Sequence, residues 1–243
     1  MRRTLLIDAD ITVYRVASSN EVPTRFHNGL WVLWSDEDKT RRDFDDAVKD
    51  IIEKTEADDY LLCLTSPNNF RKDILPSYKG NRKETRKPMM LPFLRDHVMA
   101  NHPYDMRDGL EGDDLMGIYA TRPDNKGEYV IYSADKDMKT IPALLWDDDD
   151  KVVVANTLEQ ANRYWLTQAL TGDPTDGYKG ATKIGAVGAK KILDNDCSWE
   201  AVLAAFIKQG HTEHEALQQA QVARILRHEN YDLVTNTLGV WEP

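Results

Sequence analysis

Cysteine is scarce in this sequence: Cys63 and Cys197 are the two in 243 residues. That excludes a disulfide-stapled scaffold, and Cys63, inside the apolar run YLLCLTS, reads as a small buried hydrophobe. A reducing, cytoplasmic setting is expected. Long apolar runs are missing as well. No stretch approaches the ~20 residues that cross a bilayer, so no membrane partner is expected. The opening MRRTLLIDAD turns acidic too early for a signal peptide. Positive charge is in deficit, with 31 Lys and Arg against 41 Asp and Glu and a net charge of −10. Taken alone, that balance disfavours nucleic acid as a partner. No GxxxxGK[ST] spacing occurs, which removes P-loop ATP hydrolysis. Repeats and low-complexity segments are also lacking.

What is present fits a globular chain, because 41% apolar residues suffice for a core and 30% charged residues for a soluble surface. Four β-branched-rich runs read as buried strands: TLLID (4–8), DYLLCLT (59–65), EYVIYS (128–133) and KVVVAN (151–156). Helical patterns separate them, notably 43–57, where Phe44, Ala47, Val48, Ile51 and Ile52 share a face, then 91–99 and 113–120. Alternating strands and helices predict an α/β fold with a mostly parallel sheet flanked by helices. From residue 157 the pattern is helical: 157–172, 186–194, 198–210 and 214–229. The expected division is therefore an α/β part over 1–156 and a helical part over 157–243, in one continuous unit.

The acids recur in a pattern. In open parallel sheets ligands bind beyond the carboxyl ends of the strands. Asp8 and Asp10 stand at the end of the first strand, and Asp135 and Asp137 follow EYVIYS. LEGDDLMGIY crowds Glu111, Asp113 and Asp114 into a helix start, and LTGDPTDGYKG places Asp173 and Asp176 after a glycine helix stop. Two carboxylates ~4 Å apart repel by roughly 1 kcal/mol in water and roughly 4 kcal/mol near a protein surface. Capping and turn chemistry accounts for any one such group, as it does for the surface turn DDDD at 147–150. Four groups exceed what capping requires. All-oxygen ligand sets suit hard cations such as Mg²⁺ or Mn²⁺, and two ions ~4 Å apart form the clamp of phosphodiester hydrolysis. No Cys/His cluster suggests zinc; His211 and His214 begin a polar helix and read as solvent-facing. If eight of these nine carboxylates gather at one site, the remainder of the chain carries −2 of the net −10, so an anionic substrate is not vetoed.

Two segments can hold such a substrate. NFRKDILPSYKGNRKETRKP (69–88) interleaves Arg71, Lys72, Lys79, Arg82, Lys83, Arg86 and Lys87 with Phe70 and Tyr78, a pattern suited to backbone contact and base stacking. It follows the strand at 59–65, on the same edge as the acids if the sheet is parallel. GYKGATKIGAVGAKKIL (177–193) puts glycines before a helix start, where backbone N–H groups approach a phosphate, with Lys190 and Lys191 nearby.

Seven segments in order, LLIDAD, NFRKDILPSYKGNRK, LEGDDLMGIYA, YSADKDMKTIP, LTGDPTDGYKG, KIGAVGAKK and QAQVARILRHENYD, resemble the 5′→3′ exonuclease and flap endonuclease family. The likeness is greatest to the stand-alone exonucleases of short-tailed phages, and it spans nearly the whole chain. It implies a PIN-like flap-nuclease core and a helix–three-turn–helix DNA-binding element in the helical part. It also implies two divalent metals (Mg²⁺, with Mn²⁺ able to substitute) and release of 5′-phosphorylated products from duplex DNA with 5′ ends or flaps, with RNA–DNA hybrids also open. By the resemblance Asp8, Glu111, Asp113, Asp114, Asp135, Asp137, Asp173 and Asp176 form the metal site, and Lys79 and Arg82 are catalytic. DNA contacts fall to Phe70, Arg71, Tyr78, Lys83, Gly185, Gly188, Lys190 and Lys191, with K⁺ a candidate ion at the hairpin. A monomer in the host cytoplasm is expected.

Two departures stand out. Ser66 occupies the place where relatives often carry a further acid. The GIGxK hairpin pattern falls in one of two registers, with Lys183 in a glycine place or with a two-residue insertion that uses Gly188 and Lys190. Three rivals remain open: a PIN-type metal-dependent ribonuclease, a catalytically silent DNA-end-binding protein, and a Mg²⁺-binding structural domain.

Overall fold

The structure is a computed structural model and describes residues 2–125 and 127–243; of Lys83 and Glu84 it describes the backbone alone. The first strand, β1 (Thr4–Asp8), ends on Asp8, whose carboxylate accepts the Ile11 N–H and caps α1 (Ala9–Ser19). A hairpin of β2 (Val22–Arg25) and β3 (Trp31–Trp34) follows. Helix α2 (Glu37–Thr55) starts at an Asp36 cap, earlier than the apolar periodicity suggested, and stops at Glu56 in the left-handed region. The chain continues through β4 (Asp59–Cys63), the short α3 (Arg71–Ile74), a 3₁₀ turn at Gly80–Glu84, α4 (Leu91–Asn101) and β5 (Tyr104–Asp105). Next come α5 (Gly112–Ala120), β6 (Tyr129–Tyr132), a 3₁₀ turn at Lys136–Thr140, β7 (Leu144–Asp147) and β8 (Val152–Ala155). Helices α6 (Leu158–Thr171), α7 (Ala186–Asn195), α8 (Trp199–Lys208) and α9 (Glu213–Ala223) precede a small hairpin of β9 (Tyr231–Asp232) and β10 (Thr237–Leu238).

Among the described residues the main sheet runs β5-β4-β1-β6-β7-β8, parallel except for β7 against β8. The strand expected at 151–156 therefore forms but returns antiparallel at the edge. The acidic run Asp147–Asp150 makes the turn that reverses it, with Lys151 at φ 54°. Alternation along β1 sorts the layers: Leu5 and Ile7 join the core under α1, α2 and α4, while Leu6 joins the core under α5. A third core, around Trp165, Leu170, Leu193 and Phe206, unites α6 through α9 and takes in Tyr78 from the basic segment. The chain builds outward from β1 through β4 and β5, then returns to add β6 on the other side. That reversal opens a crevice beyond the carboxyl ends of β1 and β6, the usual ligand position in such sheets.

Two close approaches demand glycine. Gly172 and Gly180 have φ 70° and 64°, and a Cβ on Gly180 would lie 2.3 Å from the Gly172 nitrogen, so the loop after α6 crosses itself only without side chains. On α5, a Cβ on Gly117 would lie 2.2 Å from the Leu226 carbonyl oxygen. The helix expected to continue to residue 229 ends at Ala223, and residues 224–227 run extended and buried against α5.

Gly117→Ala should cost about 3 kcal/mol by overpacking a site walled by backbone. Gly239→Ala, whose Cβ would meet nothing nearer than 3.9 Å, should be close to neutral. Urea unfolding of the two variants checks this, and equal midpoints would contradict the packing.

Candidate active site

The acids divide by what surrounds them. Asp8 is 5% exposed at the end of β1, and Ser133 at the end of β6 donates its hydroxyl to it at 2.8 Å. The same Ser133 oxygen accepts the Asp135 N–H at 3.0 Å, and Asp135 caps the next turn through the Asp137 N–H. Asp113 enters from the first turn of α5. Gly112 makes this entry tight, because a Cβ there would sit 2.8 Å from the Cys63 carbonyl oxygen at the end of β4. The Gly112 N–H is held by Thr65 Oγ1 at 2.9 Å.

Asp8, Asp113, Asp135 and Asp137 have no ion-pair partner among the described residues. Burial first, then the charges of Asp10 and Asp135, push the Asp8 carboxyl up to about 6, against the hydrogen bonds it accepts. Burial and the neighbouring Asp135 push Asp137 up to about 6 as well. Asp113 is raised well above the ordinary range by burial, with Asp8, Glu111 and Asp135 adding to it. Such a group of unpaired, crowded carboxylates is a donor set for hard divalent cations, so the residues present fit the metals that the sequence implies.

The other acids are already neutralised. Glu111 stays ionised because, against the cost of burial, Lys79 and Arg71 hold its carboxyl low. Lys79 Nζ pairs with Glu111 and lies 3.7 Å from Asp176 Oδ2, and Arg82 pairs with Asp176. The Tyr78 hydroxyl, kept protonated by burial and these acids, lies 3.0 Å from Glu111 Oε2 and 3.1 Å from Asp176 Oδ2. Lys136 Nζ pairs with Asp173 at 2.8 Å. Residues 77–82 and 173–177 thus close together over one side of the crevice. The Lys79 N–H donates to the Asp176 carbonyl, and Gly177 (φ 76°) packs against the Ser77 carbonyl.

Several expectations require correction. Asp114 is fully buried and turned inward: its oxygens accept from Arg71 Nη1 and Nη2 at 2.7 Å each, from Leu226 N at 3.0 Å and from Glu111 N at 3.1 Å. All four lone-pair positions are used, which leaves none for a metal. Arg71, 2% exposed, and Phe70, 8% exposed, are interior residues and present no surface to DNA. Tyr78 is buried too and acts within the acid network instead of stacking on bases. The Lys83 side chain lies outside the described residues.

At the hairpin, Lys190 pairs with Asp194 and Lys191 is exposed, with Gly185 exposed as the N-cap of α7 and Gly188 half-buried within it. Lys183 has φ 61°, the left-handed region that glycine favours, which is the backbone that the register without an insertion expects at its glycine place. His211 is held by Thr182 Oγ1 at 2.7 Å and edge-on to Phe206, so it is half-buried, whereas His214 is exposed.

Sequence reasoning missed Ser133 and Gln168. The Gln168 amide, on α6, donates to Asp137 at 2.6 Å. A polar residue on the otherwise apolar buried face of α6 was the available signal.

Asp8 and Asp137 bind protons more readily folded than unfolded, so metal-free stability should fall as pH rises from about 4 through 6. Calorimetry should show Mg²⁺ reversing that loss at pH 8. Asp113→Asn should raise the metal-free Tm and shrink the Mg²⁺ response. Asp114→Asn should instead lower stability by about 3–5 kcal/mol, since it unpairs a buried Arg71. The same sign for both variants would refute the division of roles.

Residues 3–168 match the family described as 5′-3′ exonuclease, N-terminal resolvase-like domain. The chain is 30% identical to the exodeoxyribonuclease of Enterobacteria phage T3, over 98% of this chain and 92% of that protein. It is 30% identical to the exonuclease of Escherichia phage T7, over 98% of this chain and 93% of that one. In fold it resembles the phage T5 D15 protein co-crystallised with metal ions, with a TM-score of 0.70 at 14% identity over 92% of this chain and 90% of that chain. The D15 flap endonuclease in complex with DNA and metal ions gives a TM-score of 0.70 at 14% identity, over 92% and 89%. With the acids gathered at the β1–β6 crevice and a family match across most of the sequence, the chain belongs to the 5′→3′ exonucleases.

Proposed function

We propose that this chain removes nucleotides from 5′ ends of duplex DNA by metal-assisted phosphodiester hydrolysis, in phage DNA replication or recombination within the host cytoplasm. The observation that carries the reading is the group of unpaired carboxylates at the β1–β6 crevice with Lys79 and Arg82 on its rim. Two Mg²⁺ ions are the proposed cofactors, with Mn²⁺ able to substitute. Asp8, Asp113, Asp135 and Asp137 would hold them, with Glu111, Asp173 and Asp176 completing the set. Cations bound there would activate a water and stabilise the charge developing on phosphate and leaving oxygen.

The chain's own residues do the rest. Lys79 stays cationic despite burial because Glu111 and Asp176 face it, and its side chain keeps 20% exposure. An incoming phosphate exchanges with those carboxylates for its ammonium group, placing a positive charge where negative charge grows. Arg82, half-exposed beside Asp176, adds a second donor. Tyr78 fixes Glu111 and Asp176 in register, and Gln168 does the same for Asp137.

Away from the chemistry, the start of α7 offers free N–H groups at Gly185 and beyond, with Lys190 and Lys191 on the helix. We assign the duplex backbone to this helix–three-turn–helix element, with K⁺ the candidate for its loop carbonyls. Residues 1–156 would then be the nuclease core and 157–243 the duplex-binding part, acting as one monomeric unit.

End-labelled duplex, incubated with Mg²⁺ or EDTA, tests the proposal. The expected result is Mg²⁺-dependent release of 5′-mononucleotides, abolished in Asp135→Asn while DNA binding persists. Cutting at a flap junction would move the activity to a flap endonuclease, and comparison of RNA–DNA hybrids would set its substrate range. Binding without cleavage in any divalent metal would overturn the enzyme in favour of a silent DNA-end binder. Lys79→Ala should lower kcat by about 10²-fold with little change in KM. A change confined to KM would make Lys79 a tether.

A further inference from the structure

The sequence offers no spaced Cys/His motif, yet the fold brings three metal-ligating side chains together far from the acids. Asp45 stands in the middle of α2, His97 in α4, and His102 is the residue on which α4 ends. Asp45 Oδ1 lies 2.6 Å from His97 Nε2 and 3.0 Å from His102 Nε2. All three ligand atoms lie within 4.8 Å of one another. Five residues apart on a continuous helix, the two rings would point about 140° away from each other. His102 escapes this because its backbone is extended (φ −122°, ψ 155°), which swings its ring back to 5.3 Å from that of His97. Phe44 meets both rings edge-on, at 6.1 and 5.5 Å, and fixes their planes.

We propose that Asp45, His97 and His102 form a second metal site, for a borderline transition-metal ion of the zinc class, distinct from the carboxylate site. Two imidazoles and one carboxylate suit zinc, nickel or copper and not magnesium, which favours oxygen donors alone. Zinc bonds of ~2.0–2.1 Å at tetrahedral angles separate ligand atoms by about 3.3 Å. The present separations of 2.6 and 3.0 Å therefore need to open by less than 1 Å.

The surroundings fit as well. The His side chains are 8% and 10% exposed, while that of Asp45 is 46% exposed, so the ligands are shielded but an ion has a way in. His102 Nδ1 lies 3.1 Å from the Tyr60 hydroxyl, an acceptor that would fix the tautomer ligating through Nε2. His97 Nδ1 lies 3.0 Å from Asn101 Nδ2, which also donates to the His97 carbonyl at 3.0 Å, so ligation through Nε2 requires that amide to turn and give up this bond. Three protein ligands leave a fourth position for water.

Its place in the fold is independent of the nuclease centre. Tyr60 and Tyr104 are near the amino ends of β4 and β5, whereas the acids stand beyond the carboxyl ends of β1 and β6. An ion here would tie α2 to α4, and α4 is the helix that receives the chain from the basic segment.

Metal titration in excess Mg²⁺, which occupies the carboxylate site, tests the proposal. One equivalent of Zn²⁺ should raise the Tm of the full chain, and Co²⁺ should develop the ligand-field absorption of a low-coordinate nitrogen–oxygen site. Both responses should survive in Asp135→Asn and vanish in the His97→Gln, His102→Gln double variant. In the wild-type chain, Zn²⁺ should shift the ring signals of two of the six histidines in NMR spectra, a reading that needs no variant to fold. No histidine shift, or a Zn²⁺ response lost in Asp135→Asn and kept in the double variant, would overturn the second site.

Discussion

The guanidinium of Arg71 and the carboxylate of Asp114 meet out of reach of solvent, and three distant parts of the chain are tied to that contact. Arg71 also donates from Nε to the Val222 carbonyl at 3.1 Å and from Nη2 to the Arg224 carbonyl at 2.7 Å. Its remaining capacity faces Glu111 Oε2 at 3.3 Å. Desolvating two charges costs several kcal/mol per ion, which only a fully hydrogen-bonded geometry offsets. Here every donor and every lone pair has a partner. The pair also explains where α9 stops. A continuing helix would bond Leu226 N–H to the Val222 carbonyl, but Asp114 takes the first and Arg71 takes the second. The chain is released into the extended segment that packs across Gly117.

Anchoring at that pair sets the stage for the acids. With Arg71 and Asp114 fixed, α5 presents Glu111 and Asp113 to the crevice, and the segment after α3 brings Tyr78 and Lys79 over them. One half of the acid group is thereby compensated by the chain's own cations, and the other half is left in mutual repulsion. A divalent ion at the proposed site would relieve this imbalance; at the entry of α5, Glu111 and Asp114 are already paired with Lys79 and Arg71, and Asp113 is left without a paired cation among the described residues. The proposed phosphate ligands, Lys79 and Arg82, lie on the compensated side, so in the proposed mechanism neutralisation of the rim and recognition of substrate use the same side chains.

Much of this arrangement was legible beforehand. The strand end at Asp8 and the acids just after β6 followed from apolar runs that give way to acids, and the parallel sheet followed from strand–helix alternation. The helix α1, the β2–β3 hairpin and strand β7 were not read. ADITVYRVASS is rich in β-branched residues, and its helix rests on an Asp8 cap and on packing against the sheet. WVLW lacks alternation because much of it stays exposed. Register at the α7 hairpin was undecided by spacing; the left-handed backbone of Lys183 favours the one without an insertion.

The sequence by itself determined that acids recur after strands, that basic and glycine-rich segments accompany them, and that their order is that of a nuclease family. Only the tertiary structure decided which acids face one another. Asp113 and Asp114 are adjacent in sequence, but successive helical residues point about 100° apart. One therefore enters the crevice and the other an interior ion pair. In the same way Asp45 meets His97 from 52 residues away, and Gln168 meets Asp137 from 31. A side chain's chemistry is fixed by its type, whereas its charge environment is fixed by neighbours that the sequence scatters and packing assembles.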